Sequence, residues 1–209
     1  MHRIVFLGPP GAGKGTQAER LARALAIPHL STGGLLRQAV AQRSAVGLEA
    51  DGYMRAGQLV PDALVLRIVG ERLATPDARS GFLLDGFPRN LRQAEILEER
   101  TPLDAVVSFR VPEVELVRRL SERRSCPQCR AVYHLSSHPP RVPGHCDREG
   151  AVLEQRPDDR PEAIAVRLRV YDEQTAPLLE FYRRRGLLRT IDAGGSPDEV
   201  AERVRAAVT

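Results

Sequence analysis

Nine residues near the start of the chain, Gly8-Pro9-Pro10-Gly11-Ala12-Gly13-Lys14-Gly15-Thr16, have the composition a phosphate cradle requires. Glycines let consecutive backbone N–H groups turn inward without Cβ clashes. Lys14 supplies a compact charge for the β- and γ-phosphates, and Thr16 a hydroxyl for Mg²⁺ or a phosphate oxygen. The strict phosphate-loop pattern places Ser or Thr directly after the lysine; Gly15 intervenes here, so the match is a variant. Gly11, Ala12, Gly13, Lys14, Gly15 and Thr16 are the candidate contacts. Lys14 is the sole lysine among 31 Lys and Arg residues. Arginine serves everywhere else, and the two are not interchangeable where an ammonium must enter a tight loop.

Two further groups carry chemistry. Gly81-Phe82-Leu83-Leu84-Asp85-Gly86-Phe87-Pro88-Arg89 is an apolar run ending in Asp, the form of the Mg²⁺-facing strand of a phosphate-loop enzyme. Cys126-Pro127-Gln128-Cys129 and Cys146-Asp147-Arg148-Glu149 lie sixteen residues apart. Three thiolates and one more ligand would make a closed tetrahedral zinc site. Three cysteines in this spacing favour a metal in a reducing cytoplasm over a disulfide framework.

The phosphate loop needs a strand before it and a helix after it. Ile4-Val5-Phe6-Leu7 is an apolar run that stops at Gly8, as a buried parallel strand does. Residues 17–26 carry Ala18, Leu21, Ala22 and Leu25 at helical spacing. The helix N-terminus adds unpaired donors. Further along, Ser31 or Thr32 caps a helix, 44–62 reads as a small helical insert, and 61–73 is helical. A turn covers 76–81, and 91–100 is helix. Strand 105–111 precedes a helix over 113–124. Segment 126–159 breaks the rhythm, with β-like runs at 131–134 and 151–153, and is read as an inserted lid. Helix returns over 161–186, followed by a strand at 187–191 and a last helix at 197–208. Repeated βα units with two inserts mean an α/β fold with a parallel sheet flanked by helices. Its core comprises 1–30, 61–121 and 160–209, with inserts at 31–60 and 122–159.

Composition sets the outer bounds. Apolar content of 42% and charged content of 28% over 209 residues suit one globular core. Aromatic content of 4%, without Trp, offers no stacking platform for single-stranded nucleic acid. The net charge of +4 is dispersed along the chain. No apolar run is long enough for a membrane span and no secretory signal opens the chain. A cytoplasmic monomer is the expectation.

These motifs, with Ser31-Thr32-Gly33 and Arg156-Pro157-Asp158-Asp159, resemble the adenylate kinase family across essentially the whole chain, and the cysteine-rich lid resembles its long-lid, metal-binding bacterial subtype. The resemblance implies phosphoryl transfer from Mg²⁺-bound ATP to AMP, giving two ADP. It implies that Arg37 and Arg89 hold the AMP phosphate, while Arg123, Arg156 and Arg167 close over the transferred group. Arg119 would lie along the ATP adenine, and Val132, Tyr133 and Gly195 would border it. Asp85 would orient Mg²⁺ through water, and Asp158 and Asp159 would face phosphates or arginines. Residues 31–60 would form the AMP insert, with Thr32, Gln58, Leu59 and Val60 near the nucleoside. Gly86, Phe87 and Pro88 would complete the AMP side, together with Arg156 and Arg167. Gln93 could read the adenine edge, since its amide both donates and accepts. The zinc position that relatives fill with Cys or Asp is Glu149 here, with His145 and Asp147 as competitors. Gly34 departs from the usual Asp.

Other functions fit less well. A UMP/CMP kinase of the same fold is the main alternative, opposed by Gln93 and the long lid. A GTP switch lacks the second lysine of a guanine-reading motif. A zinc-ribbon nucleic-acid binder is disfavoured because the cysteine segment is an insert in an enzyme-like frame.

Overall fold

A computed structural model describes residues 2–208. The chain runs β1 (His2–Leu7), α1 (Lys14–Leu25), β2 (His29–Ser31), α2 (Thr32–Ala41), α3 (Ala45–Arg55), α4 (Asp62–Leu73), α5 (Pro76–Arg79), β3 (Gly81–Asp85) and α6 (Leu91–Arg100). It continues through β4 (Ala105–Arg110), α7 (Glu113–Ser121), β5 (Arg123–Ser125), β6 (Val132–His134), α8 (Pro161–Val170), α9 (Pro177–Arg184), β7 (Leu188–Asp192) and α10 (Pro197–Val208). Five strands form one parallel sheet in the order β2-β3-β1-β4-β7.

Alternation along β1 explains the two layers. Ile4 and Phe6 face one core with Leu83, Val107 and Phe109, against α1, α7, α8 and α10. Val5 and Leu7 face the other with Leu84 and Val106, against α2, α4, α6 and α9. A parallel strand covered on both sides is apolar at every position, which is why β1 and β3 read as unbroken runs. The C-terminal ends of β1 and β3 open together, bringing the phosphate loop and Asp85 to one edge, where open α/β sheets bind ligands.

The structure corrects several sequence expectations. Residues 76–81 hold the short helix α5 rather than only a turn. The helix expected over 113–124 ends at Ser121, because Arg123, Arg124 and Ser125 pair antiparallel with His134, Tyr133 and Val132; strand pairing overrides a propensity that would have continued the helix. The run 151–153 forms no strand: Val152 makes an isolated bridge with His145, and the next residue, Glu154, makes another with Ser125. Helix 161–186 is interrupted by a π-turn over Tyr171–Thr175, in which Ala176 N–H donates to Tyr171 O at 2.8 Å. Pro177 follows directly, and its missing N–H removes one rung of the regular ladder.

The two inserts differ in construction. The 31–60 insert shares the sheet's second core through Leu36, Ala50 and Val60. The lid has its own cluster of four buried residues, Cys126, Tyr133, Cys146 and Leu153. Burying an apolar side chain contributes about 1.5–3 kcal/mol, so this cluster alone cannot hold some forty residues in one arrangement.

Candidate active site

The phosphate loop leaves β1 through Gly8, whose φ is +145°; a Cβ there would sit 2.9 Å from the carbonyl oxygen of Phe109. It enters α1 through Gly13 at φ +85°. No side chain caps that helix, so its first amides are left for a ligand. Lys14 folds back over the loop and donates from Nζ to the carbonyls of Gly8 at 2.6 Å and Pro9 at 2.8 Å. Burial pushes its ammonium down to about 8; Asp85 opposes that shift, while Arg89, Arg167 and Arg123 add to it. Thr16 is exposed in the first turn of α1.

Asp85 ends β3 beneath Lys14. Burial works against its charge, yet His29, Lys14 and Arg89 together hold the carboxyl below its usual range. His29 Nε2 lies 3.7 Å from Asp85 Oδ2. A Cβ on Gly15 would come within 3.5 Å of the same oxygen, so Asp85 lies directly under the first turn of α1.

The arginines converge from the lid side and the core. Arg123 grips Asp159 with two bonds, from Nε at 2.7 Å and from Nη2 at 2.5 Å. Arg167 donates to Asp158 O and to Asp159 Oδ1, both at 2.8 Å. Asp159 is 0% exposed, a burial tolerable for a carboxylate only with such partners. Arg37 and Arg156 have less. Burial, with neighbouring guanidiniums, pushes Arg37 down to about 10 and Arg156 to about 9. Both remain charged at neutral pH, among cations, where an anionic ligand would relieve the repulsion. Arg89 is likewise lowered, mainly by burial and then by Arg167.

Beside these cations lies a cavity lined by Thr32, Arg37, Gln58, Leu59, Val60, Gly86, Arg89, Gln93 and Arg167. The Thr32 hydroxyl is buried without a hydrogen-bond partner, as expected of a group awaiting a ligand. Phe87 and Pro88 are buried beneath it, joined by a cis peptide bond. Arg89 donates from Nε to Gly86 O at 2.8 Å, and Thr175, from the π-turn, donates to Arg89 O at 2.7 Å.

A model of the adenylate kinase family matches residues 6–187. The chain belongs to the adenylate kinase family. Among curated relatives, the adenylate kinase of Moorella thermoacetica is 52% identical over 197 residues, covering 91% of this chain and 90% of that protein. That of Archaeoglobus fulgidus is 50% identical over 194 residues, 90% and 89% of the two chains. That of Carboxydothermus hydrogenoformans is 46% identical over 211 residues, 99% of each.

In this adenylate kinase family member the far side of the loop holds Arg119, which donates from Nε to Glu115 at 2.8 Å and from both Nη atoms to Ala193 O at 3.3 Å. The guanidinium is thereby held as a fixed plate near Gly195, whose φ is +95°. Val132 is half-buried on β6. The Tyr133 ring turns into the lid core, 5.9 Å from the His138 ring, so only its backbone is left for a nucleotide.

In the lid, the sulfurs of Cys126, Cys129 and Cys146 lie within 4.8 Å of one another. Two turns of the same construction present them. Arg130 N–H donates to Cys126 O at 3.1 Å and Gly150 N–H to Cys146 O at 2.9 Å. Cys126 N–H donates to Ala131 O at 3.0 Å and Cys146 N–H to Ala151 O at 2.8 Å. Arg130 and Gly150 both sit at positive φ, 63° and 66°. Cys129 and Glu149 therefore occupy equivalent places in the two turns. The Glu149 side chain is exposed, and its carboxylate lies outside the sulfur cluster. Of its competitors, Asp147 accepts from Arg141 N–H at 2.8 Å and the His145 ring contacts Pro143 O at 3.1 Å. Tyr133 takes a bond from Asp147 N–H at 2.9 Å and lies 3.5 Å from Cys146 Sγ. That hydroxyl, with the amides of Arg148 and Glu149, draws the Cys146 thiol down to about 6. Burial pushes the Cys129 thiol the other way, up, so it is the clustering of the three sulfurs that suits a thiophilic metal.

Three residues of the site escaped the sequence reading. His29 backs Asp85 from the neighbouring strand. His134, lowered mainly by burial and then by Arg123, has a buried Nδ1 without a partner beside Arg119 and Arg123. Asp62 bonds Gln93. A lone His or a first-turn Asp carries no signal until the fold supplies its neighbours.

Proposed function

We propose that the protein transfers the γ-phosphoryl group of Mg·ATP reversibly to AMP, giving two ADP. The observation that carries this reading is the set of under-neutralised cations, Lys14, Arg37, Arg89 and Arg156, lying between an uncapped helix N-terminus and the cavity lined by Thr32, Gln58 and Gln93. In phosphoryl transfer the protein supplies mainly position and charge. The loop amides and Lys14 would hold the ATP phosphates, with Thr16 at their edge, and Asp85 would orient the Mg²⁺ that arrives with ATP. Arg37 and Arg89 would seat the AMP phosphate so that one of its oxygens attacks the γ-phosphorus in line with the departing ADP. Arg123, Arg156 and Arg167 would meet the charge of the group in flight. Thr32, Gln58, Leu59, Val60 and Gln93 would border the AMP nucleoside. Arg119, Val132, the Tyr133 backbone and Gly195 would border the ATP base.

The lid, 122–159, would be ordered by a structural Zn²⁺ held by Cys126, Cys129 and Cys146. Glu149 is the fourth ligand in this reading, supported by its equivalence to Cys129 in the paired turns and by the commitment of Asp147 and His145 elsewhere. A rotamer change would bring its carboxylate inward. When bound, the metal supplies cross-linking and no chemistry.

The test is ADP formation from Mg·ATP with AMP, UMP, CMP or GMP, each alone. Strong activity with AMP only is the expected result. Activity mainly with UMP or CMP would keep the phosphate machinery and overturn the acceptor. Inactivity with all four would overturn the reading.

A further inference from the structure

The carboxamide of Gln93 can face a base in two ways. One presents N–H toward a ring acceptor and C=O toward an exocyclic amine; the other, rotated by half a turn, presents the reverse. Adenine offers a ring acceptor (N1) beside an amine donor (N6). Guanine and uracil offer a ring N–H beside a carbonyl, the opposite order. A glutamine free to turn would serve both, so something else must choose.

Gln93 is not free to turn. It lines the acceptor cavity and is 1% exposed. Its Oε1 accepts from Arg89 N–H at 2.8 Å. Its Nε2 donates to Asp62 Oδ1 at 2.6 Å. Asp62 lies on α4 and is not among the cavity-lining residues. The same Oδ1 accepts from Asn90 Nδ2 at 2.9 Å, and Asn90 Oδ1 accepts from Gln93 N–H at 2.9 Å. Both ends of the amide are therefore assigned by chemistry. A backbone N–H can only donate, so it demands the oxygen; a carboxylate can only accept, so it demands the nitrogen. Turning the amide would set oxygen against carboxylate and N–H against N–H around a side chain that is itself buried, where unsatisfied polar groups are costly. What remains for a ligand is the second N–H of Nε2 and the second lone pair of Oε1, the complement of adenine.

We propose that Asp62 is a positioning residue that sets the orientation of the Gln93 carboxamide, and so selects an adenine-type edge over a guanine- or uracil-type edge in the acceptor nucleotide. This rests on the reading above that Gln93 faces the acceptor base. Cytosine shares the adenine order, so its exclusion falls to other parts of the cavity.

Asp62→Asn keeps the size but allows an N–H₂ group to face Gln93, so the turned amide finds a partner. Asp62→Ala removes the constraint at the nitrogen end and leaves only Arg89 N–H to hold the oxygen. In the full-length protein, kcat/KM is measured for AMP and for GMP, with KM for ATP alongside, in both variants and in Gln93→Ala. The expected result is a fall in the AMP-to-GMP ratio of about tenfold in Asp62→Asn, in keeping with loss of one buried hydrogen bond to a charged group. KM for ATP should stay at its original value. If Gln93→Ala collapses the ratio while both Asp62 variants leave it intact, the proposal fails and the Gln93 reading stands. If the ratio is unchanged in all three, Gln93 does not read the base and both fail. Equal losses with AMP, GMP and ATP in the Asp62 variants would mark Asp62 as merely structural and also overturn the proposal.

Discussion

The phosphate loop grows from a strand in which Ile4, Val5, Phe6 and Leu7 are at most 2% exposed, whereas in the lid Cys126 and Cys129 lie between two strands of three residues each and Cys146 lies in an irregular segment beyond them. Around the loop, packing fixes the backbone, and charged groups can be left short of partners because the frame does not depend on them. In the lid, half of the buried cluster is cysteine. Its order would depend on a ligand that the side chains share. The two regions meet at Asp159, where Arg123 from the lid and Arg167 from the core hold the same carboxylate. In the proposed reading the packed side carries Lys14, Asp85, Arg89 and Arg167, the lid brings Arg123 and Arg156 to them, and its thin core makes the lid the part expected to move.

The largest expected effect falls on the rigid side and leaves its frame untouched. Lys14→Met should lower kcat by about a hundredfold or more, as loss of a preorganised charge does, with no fall in melting temperature; an equal fall in both would mean that packing and chemistry are not separable there. Next comes the junction. Asp159→Asn leaves two guanidiniums facing a neutral amide in a buried place, and breaking a buried pair costs about 3 kcal/mol. Urea unfolding should show it, and a loss confined to turnover would contradict the structural role.

The pH profile sharpens the comparison further. The Lys14 pKa is depressed from its usual 10.5 to about 8. Below pH 8 the folded protein carries the cost of a buried ammonium; between pH 8 and 10.5 the unfolded chain binds more protons, so this contribution to stability improves as pH rises. Activity runs the other way. The kcat/KM for Mg·ATP should fall above about pH 8 as free enzyme loses this proton, while kcat should hold to higher pH because bound phosphates retain it. Coincident profiles for both parameters would exclude Lys14 as the titrating group.

The smallest effect concerns lid against insert. Arg130 Nη1 reaches within 3.5 Å of Gly34 O and Gln38 Oε1. Gly34→Asp would add a carboxylate beside Arg130, with its Cβ 3.3 Å from the Ser31 side chain. Exposed pairs contribute about 0.2–1 kcal/mol, so turnover should change by less than about fivefold at saturating Mg²⁺. A larger change, or an altered Mg²⁺ dependence, would assign position 34 a direct part in the metal's surroundings.

Legibility followed the same division. The sheet was readable because Ile4-Val5-Phe6-Leu7 and Phe82-Leu83-Leu84 are continuous apolar runs ended by Gly8 and Asp85, and local signals agree with the tertiary answer there. The helix boundary after Ser121 was not readable, because the partner that draws Arg123–Ser125 into a strand lies beyond a loop. The π-turn was hidden for a similar reason: Tyr171–Thr175 bends where Thr175 meets the carbonyl of Arg89, 86 positions away in sequence. Lys14, Asp85 and the arginines carried motif signals. Asp62, His29 and His134 carry none, since each acts through a neighbour that only folding supplies. Tyr133 shows the converse: the structure sends its side chain into the lid core, so the proposed contact with the base falls to its backbone.

The most direct test of the division between a packed frame and a lid proposed to be held by a metal is hydrogen exchange, resolved by segment, before and after treatment with a metal chelator. Protection should drop over residues 122–159 and stay unchanged in β1, β3 and β4, with melting temperature lowered more than turnover. Protection unchanged in the lid, no zinc in carefully purified protein, or a loss spread evenly over the sheet would contradict the account.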